Sequence, residues 1–336
     1  MIRPQMSSRE RVLAALDRRP TDRPAFGSPT SVIVAELMDL AAAEFPEAHL
    51  QAPLMARLAA TAHTELRHDL LMPYFSVQHE AAALGCRIDW GRRDLMPDSK
   101  DHPCQTIDDI RIPSDFLDHP ACRVVCDAIR LLRRQFPDLA IFGKAFGPWT
   151  LGYHLFSTQE FLIMTMLDPP QVVAILDKLK EVTVAFANAQ FAAGADAVTL
   201  ADHATGDLCS PEAYRDFLIP VHAELVRRLA GPVVLHICGN TASRLDYICQ
   251  TGVAAFHVDT KVPCATARKL VGDRLALAGG INNPQTLCFG KPDDVRRDLQ
   301  AALDAHFEIV GPECAVPLNA PLSQLRALTE MFFEMV

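Results

Sequence analysis

The sequence contains no stretch of 18 consecutive apolar residues, although 49% of its 336 residues are hydrophobic. Its most apolar segments are broken by polar side chains, at Gln159 and Glu160 and again at Asn188 and Gln190. A bilayer-spanning helix needs about 20 mostly apolar residues, so no membrane span is expected. Basic excess is missing too. The formal net charge is −9, whereas a nucleic-acid-binding surface would be basic. The first residues carry Arg3, Arg9, Glu10 and Arg11 where a secretory signal would need an apolar core. There is no low-complexity tract and no Gly/Ser linker, so residues 1–336 are expected to form one domain. The ten cysteines lack the regular spacing of a disulfide framework. In a chain of this size they point to reduced thiols and a cytoplasmic location.

What is present is a recurring alternation. Ser7-Ser8-Arg9-Glu10 has capping-box spacing and predicts a short helix through Leu16. Strand-like runs follow at 24–28, 70–75, 140–146, 197–202, 233–238, 254–259, 275–281 and 307–311. Helical patterns separate them, at 171–193, 211–229, 265–271, 292–306 and 322–335. Beyond residue 196 the units repeat every 25–40 residues or so, the spacing of βα units. Eight units predict an α/β fold, a (β/α)8 barrel preceded by a helical segment. The stretch 77–138 fits least well. It predicts a small insertion between the second and third barrel strands, with a hairpin and a helix.

The most informative motif is His236-Ile-Cys238-Gly239-Asn240, taken with the distant Cys314. An imidazole and two thiolates form a strong zinc-binding set, and three protein ligands leave a fourth position for a reactant. His-x-Cys spacing on a strand puts both side chains on one face. The preceding Gly231-Pro-Val-Val-Leu235 reads as such a strand, and Cys314 follows the run 307–311. The alternative is a buried histidine and two buried cysteines, which are common core residues. All three ends of strands coincide with the rim where barrel active sites are built, which favours a metal.

The same rim nominates other side chains. Asp202 and His203 end the apolar run Ala-Val-Thr-Leu-Ala and, with Asp259, are candidates for catalytic roles. Tyr74, Tyr153 and Asn282 are candidates for substrate contact. Each has a structural alternative. The tyrosines would be core edges, Asp202 a helix cap, and Asn282 turn chemistry beside Gly280 and Pro284. Asp259 lies two residues after His257, which suggests a hydrogen-bonded pair.

Several segments resemble one family. They are His236-Ile-Cys-Gly-Asn-Thr241, Phe256-His-Val-Asp-Thr-Lys-Val262, Val271-Gly-Asp-Arg-Leu-Ala-Leu-Ala-Gly-Gly280, Thr286-Leu-Cys-Phe-Gly290 and Ile309-Val-Gly-Pro-Glu-Cys-Ala-Val-Pro317. They look like the methylcobalamin:coenzyme M methyltransferases, corrinoid-linked enzymes of the uroporphyrinogen decarboxylase superfamily. Ser8-Arg-Glu-Arg-Val-Leu-Ala-Ala-Leu16 and Phe146-Gly-Pro-Trp-Thr-Leu-Gly-Tyr153 resemble that superfamily's opening helix and third-strand motif.

The resemblance implies a zinc ion on His236, Cys238 and Cys314, and a methyl donor in the form of methylcobalamin or another methylcorrinoid carried by a partner protein. Asp202-His203-Ala-Thr-Gly206 does not have the spacing of a corrinoid-carrier signature. The acceptor it implies is a thiol of the coenzyme M type, or tetrahydrofolate as in bacterial relatives. Arginine exceeds lysine and alanine is abundant, which suggests a GC-rich bacterial gene and leaves folate open. The alternative activity is uroporphyrinogen decarboxylation. The decarboxylases carry arginines after the first strand, to hold a substrate with eight carboxylates. Here that region reads Phe26-Gly-Ser-Pro-Thr-Ser31, without arginine.

Overall fold

Eight short runs of apolar residues become the staves of a barrel. A computed structural model describes residues 5–336, and Arg3 lies outside them. The strands are β1 (Ala25–Phe26), β2 (Leu70–Leu71), β3 (Ile88–Asp89), β4 (Asp98–Ser99), β5 (Ala140–Phe146), β6 (Ala197–Ala201), β7 (Val233–Ile237), β8 (Ala255–Val258), β9 (Ala276–Ile281) and β10 (Ile309–Pro312). Eight of them are parallel neighbours in the order β1-β10-β9-β8-β7-β6-β5-β2. The remaining gap, between β1 and β2, is bridged at Asp69. Its N–H donates to Phe26 O at 2.7 Å, and its carboxylate accepts from Phe26 N at 2.8 Å. The result is the expected (β/α)8 barrel. Its staves are buried on both faces, which is why they read as continuous apolar runs.

The expected strand ends shift where the backbone lacks donors. The second strand stops at Leu71 and not at residue 75, because Pro73 has no N–H for the ladder. Pro24 and Pro29 similarly confine the first strand to two residues. The expected helix 211–229 is interrupted by a π turn at Tyr214–Leu218, just before Pro220. Proline cannot donate to the carbonyl four residues back, so the ladder widens there.

The opening helix Ser8–Leu16 starts with the expected capping box, with Ser7 as cap and Glu10 reaching back. A charge network fastens it across the base of the barrel. Arg11 binds Asp22 at 2.7 Å and Asp69 at 2.8 Å, and Arg9 binds Asp196 at 2.8 Å. Between β2 and β5 the chain makes the helix His79–Ala83, the β3–β4 hairpin and the helix Pro120–Gln135. The hairpin region folds over the opposite rim, where Met96–Ser99 and His102 wall a cavity. No helix among the described residues is long and apolar enough to cross a membrane. The ten cysteines form no disulfide among the described residues.

Candidate metal centre and substrate cavity

Strand register brings the candidate metal-ligand set together. His236 is the fourth residue of β7, and Cys238 follows that strand directly. Cys314 lies two residues past the end of β10. His236 Nε2 is 3.1 Å from Cys238 Sγ and 3.3 Å from Cys314 Sγ, and the two sulfurs are 3.5 Å apart. A disulfide would need about 2.05 Å between sulfurs. A tetrahedral zinc with bonds of about 2.0–2.3 Å spaces its ligand atoms roughly 3.5–3.8 Å apart, a few tenths of an ångström wider than seen here. No other group of His, Cys, Asp and Glu among the described residues converges in this way.

Two further features suit the triad to a cation. His236 Nδ1 lies 3.3 Å from His257 O, directly across the β7–β8 register. A carbonyl can only accept, so Nδ1 carries the proton and Nε2 presents a lone pair to the sulfurs. The thiols also titrate in opposite directions. The hydrogen bond from Cys314 holds Cys238 below its ordinary value, and the same shared proton, with burial, pushes Cys314 well up. Two thiolates this close need a positive ion between them. The donor set therefore fits zinc.

The triad sits in the wall of a cavity of about 520 Å³ at the C-terminal rim. Tyr153, Asp202 and His203 line the same cavity. Tyr153 accepts a hydrogen bond from Trp149 Nε1 at 2.5 Å, and burial raises its phenol pKa, so it is neutral. His203 is exposed to the cavity, and burial of its ring lowers its pKa.

Asp202 is different, because protein groups saturate its carboxylate. Oδ1 accepts from Thr150 N at 2.8 Å and Thr150 Oγ1 at 2.9 Å, and Oδ2 faces His222 Nε2 at 2.9 Å. His222 Nδ1 in turn meets Tyr214 OH at 3.0 Å, both residues being carried by the π-interrupted helix. Gly147 opens the helix that rests on this carboxylate. A Cβ there would lie 2.1 Å from Asp202 Cγ.

Three expected site residues do not line the cavity. Because β2 ends early, Tyr74 turns into the core, fully buried, and its hydroxyl donates to Glu80. Asp259 accepts from Gly239 N at 2.7 Å and Lys261 N at 2.9 Å, tying the loop after Cys238 to the end of β8. It does not pair with His257, whose Nε2 donates to Pro312 O at 2.8 Å. Asn282 caps the following turn, accepting from Gln285 N at 2.6 Å, and donates to Thr260 Oγ1 at 2.7 Å. Asp259 and Asn282 bear on the site through the loops they brace, and Tyr74 through the ring face it sets beneath Lys144.

Other side chains matter that the motifs did not single out. Asn283 Nδ2 donates to Cys314 O at 3.0 Å and Ala315 O at 2.9 Å, fixing the loop that carries the third sulfur. Glu313 accepts from Asn283 N at 2.9 Å and Thr260 N at 2.7 Å, joining the ends of β8, β9 and β10. Lys144, in mid-β5, is buried in the cavity wall. Its signal in the sequence was a lone lysine inside the run Ala-Ile-Phe-Gly-Lys-Ala-Phe.

With this geometry in place, comparison with known proteins is decisive. The uroporphyrinogen decarboxylase (URO-D) family model matches residues 7–335. The chain belongs to that family. Within it, the chain is 33% identical over 331 residues to the methylcobamide:CoM methyltransferase MtaA of Methanosarcina barkeri, covering 96% of this chain and 97% of that protein. It is 31% identical to the methylated-thiol–coenzyme M methyltransferase of Methanosarcina mazei, covering 96% of this chain and 88% of that protein. A solved methyltransferase from Methanosarcina mazei superposes with a TM-score of 0.95 at 29% identity, covering 98% of this chain and 99% of that one. The chain thus falls with the family's corrinoid-linked methyltransferases, as its motifs suggested.

Proposed function

We propose that this protein is a zinc-dependent methyltransferase that moves a methyl group from a methylated corrinoid, carried by a partner protein, to a small thiol of the coenzyme M type. The observation that carries this reading is the convergence of His236, Cys238 and Cys314 on one cavity wall. A free thiol is mostly protonated at neutral pH and a poor nucleophile. Zinc, when bound, supplies the charge that makes a coordinated thiol ionise. The chain's own part is to present one imidazole and two sulfurs and leave the fourth direction open to the cavity. In the transfer, the acceptor sulfur forms a bond to the methyl carbon. The cobalt–carbon bond breaks, and its electron pair remains on cobalt. The thiol proton is released to solvent.

Uroporphyrinogen decarboxylation fits this cavity poorly. Eight carboxylates call for several arginines, and none of the described residues lining it is an arginine. The test is to follow loss of methyl–cobalt absorbance from free methylcobalamin with a thiol, with tetrahydrofolate and with neither. The reading expects turnover with the thiol and no decarboxylation of uroporphyrinogen. Turnover with tetrahydrofolate alone would keep the donor and replace the acceptor. Silence with both acceptors, even with a corrinoid protein supplied, would defeat the proposal.

A further inference from the structure

Lys144 is a buried lysine whose ammonium has no direct ion-pair partner among the described residues. Only 4% of its surface is exposed, yet its side chain lines the cavity that holds the three metal-ligating residues. Its ammonium makes no hydrogen bond and no ion pair to any described residue. It rests instead on the face of Tyr74, with Nζ 4.5 Å from the ring centroid. An aromatic face attracts a cation but does not neutralise it. The acid whose charge bears on it is Glu80, also buried. Its oxygens are engaged by Tyr74 OH and by Phe146 N at 2.9 Å, and burial raises its pKa to about 7. Leaving a cation unpaired in a protein interior is expensive unless something else completes it.

The backbone under Lys144 is held with unusual care. Gln190, buried on the helix Pro169–Ala193, clasps both of its peptide groups. Its Oε1 accepts from Lys144 N at 2.9 Å, and its Nε2 donates to Lys144 O at 2.8 Å. The neighbouring Gly143 makes this approach possible, since a Cβ there would lie 2.6 Å from Gln190 Oε1. With Gly143 facing the helix, alternation turns Lys144 to the barrel interior. Register completes the placement. Lys144 pairs with Thr199, and Thr199 with Val234, which is two residues below His236 on β7. The long lysine stem rises from that lower layer towards the layer of the triad.

Among the described residues that line the cavity, Lys144 is the only lysine or arginine. We propose that Lys144 is the specificity-determining residue for the acceptor, binding a single anionic group, sulfonate or carboxylate, at the far end of a short thiol whose sulfur faces His236, Cys238 and Cys314. This rests on the thiol-acceptor reading above. One cation in a largely apolar cavity suits one negative charge. A neutral thiol of the same length leaves the ammonium uncompensated and loses the charge-assisted contact.

The experiment measures methyl transfer from methylcobalamin to 2-mercaptoethanesulfonate, 3-mercaptopropionate and 2-mercaptoethanol. The wild-type protein should favour the two anionic thiols in kcat/KM by about 10- to 100-fold, the range of a hydrogen bond to a charged group. The split should lie mainly in KM. In Lys144→Met the ratio of anionic to neutral thiol should fall towards one, whatever the absolute activity, and Lys144→Arg should keep a preference. A role confined to packing would lower all three thiols together. The two anionic substrates separate sulfonate from carboxylate recognition. Ethanesulfonate should also inhibit the wild-type protein competitively against thiol, which needs no variant to fold. Thiol turnover without any charge preference in the wild-type protein, or a ratio unchanged in Lys144→Met, would overturn this assignment alone. No turnover with any thiol would remove the reading beneath it.

Discussion

His236 Nδ1 and the carbonyl oxygen of His257 face each other at 3.3 Å across a β7–β8 pair in register. Backbone pairing thereby decides the tautomer of a side chain. The ring is oriented with Nε2 towards both sulfurs, and no side-chain partner is needed to hold it so.

The protein should bind about one zinc per chain, in near-tetrahedral geometry. Cys238→Ala and Cys314→Ala should each lose most of it after gel filtration, as measured by elemental analysis. Cys249→Ala, whose sulfur is outside the triad, should retain it. Full zinc in Cys314→Ala would show that the third ligand lies elsewhere.

Asn283→Ala should loosen the metal without touching it. The change removes two hydrogen bonds to the carbonyls of Cys314 and Ala315. Loss of such an outer partner typically costs about 10- to 100-fold in metal affinity. Competition with a chromophoric chelator measures the change, and an affinity equal to that of the wild-type protein would count against the assignment.

Adding the acceptor thiol should change the metal's surroundings. X-ray absorption at the zinc edge should gain one sulfur neighbour, and about one proton should be released per thiol bound below the thiol's own pKa. Binding of a productive acceptor with neither signal would point to a nitrogen nucleophile such as that of tetrahydrofolate.

Asp202 should prove a positioning residue. Its oxygens hold Thr150 and His222, so Asp202→Ala would leave the buried Thr150 N–H and the His222 ring nitrogen without their partner. The expected loss is about 2–4 kcal/mol of stability, read as a lower Tm and denaturant midpoint. A variant with wild-type stability and abolished turnover would restore Asp202 to a direct chemical role.

At the base of the barrel, acid should weaken the clamp on the opening helix. The hydrogen bond from Arg11 holds the Asp22 carboxyl well below its ordinary value of 3.8. A depressed carboxyl pKa gives stability that is present above about pH 4 and is lost as pH falls. Asp22→Asn should therefore destabilise the protein by about 1–3 kcal/mol at pH 7 and by less at pH 3. A gap that stays constant or widens on acidification would contradict the ion-pair account.

Much of the architecture was legible in the residues. Apolar runs at βα spacing marked the eight staves, because strands of a parallel barrel are buried on both faces. The period of two along a strand put His236 and Cys238 on one side, and the rim rule added Cys314. Parity says which residues share a face, but in a doubly buried strand it does not say which face looks inward. Only the approach of Gln190 to Gly143 decided that Lys144 points into the cavity. The rim residues divided for a similar reason. Asp202 faces the cavity wall, whereas Asp259 is drawn back by Gly239, 20 residues away in sequence. Tyr74 is drawn into the core once Pro73 ends the ladder. Strand periodicity is local and survives in the sequence. The direction of a side chain beyond a strand's end depends on hydrogen-bond partners that only the closed barrel brings within reach.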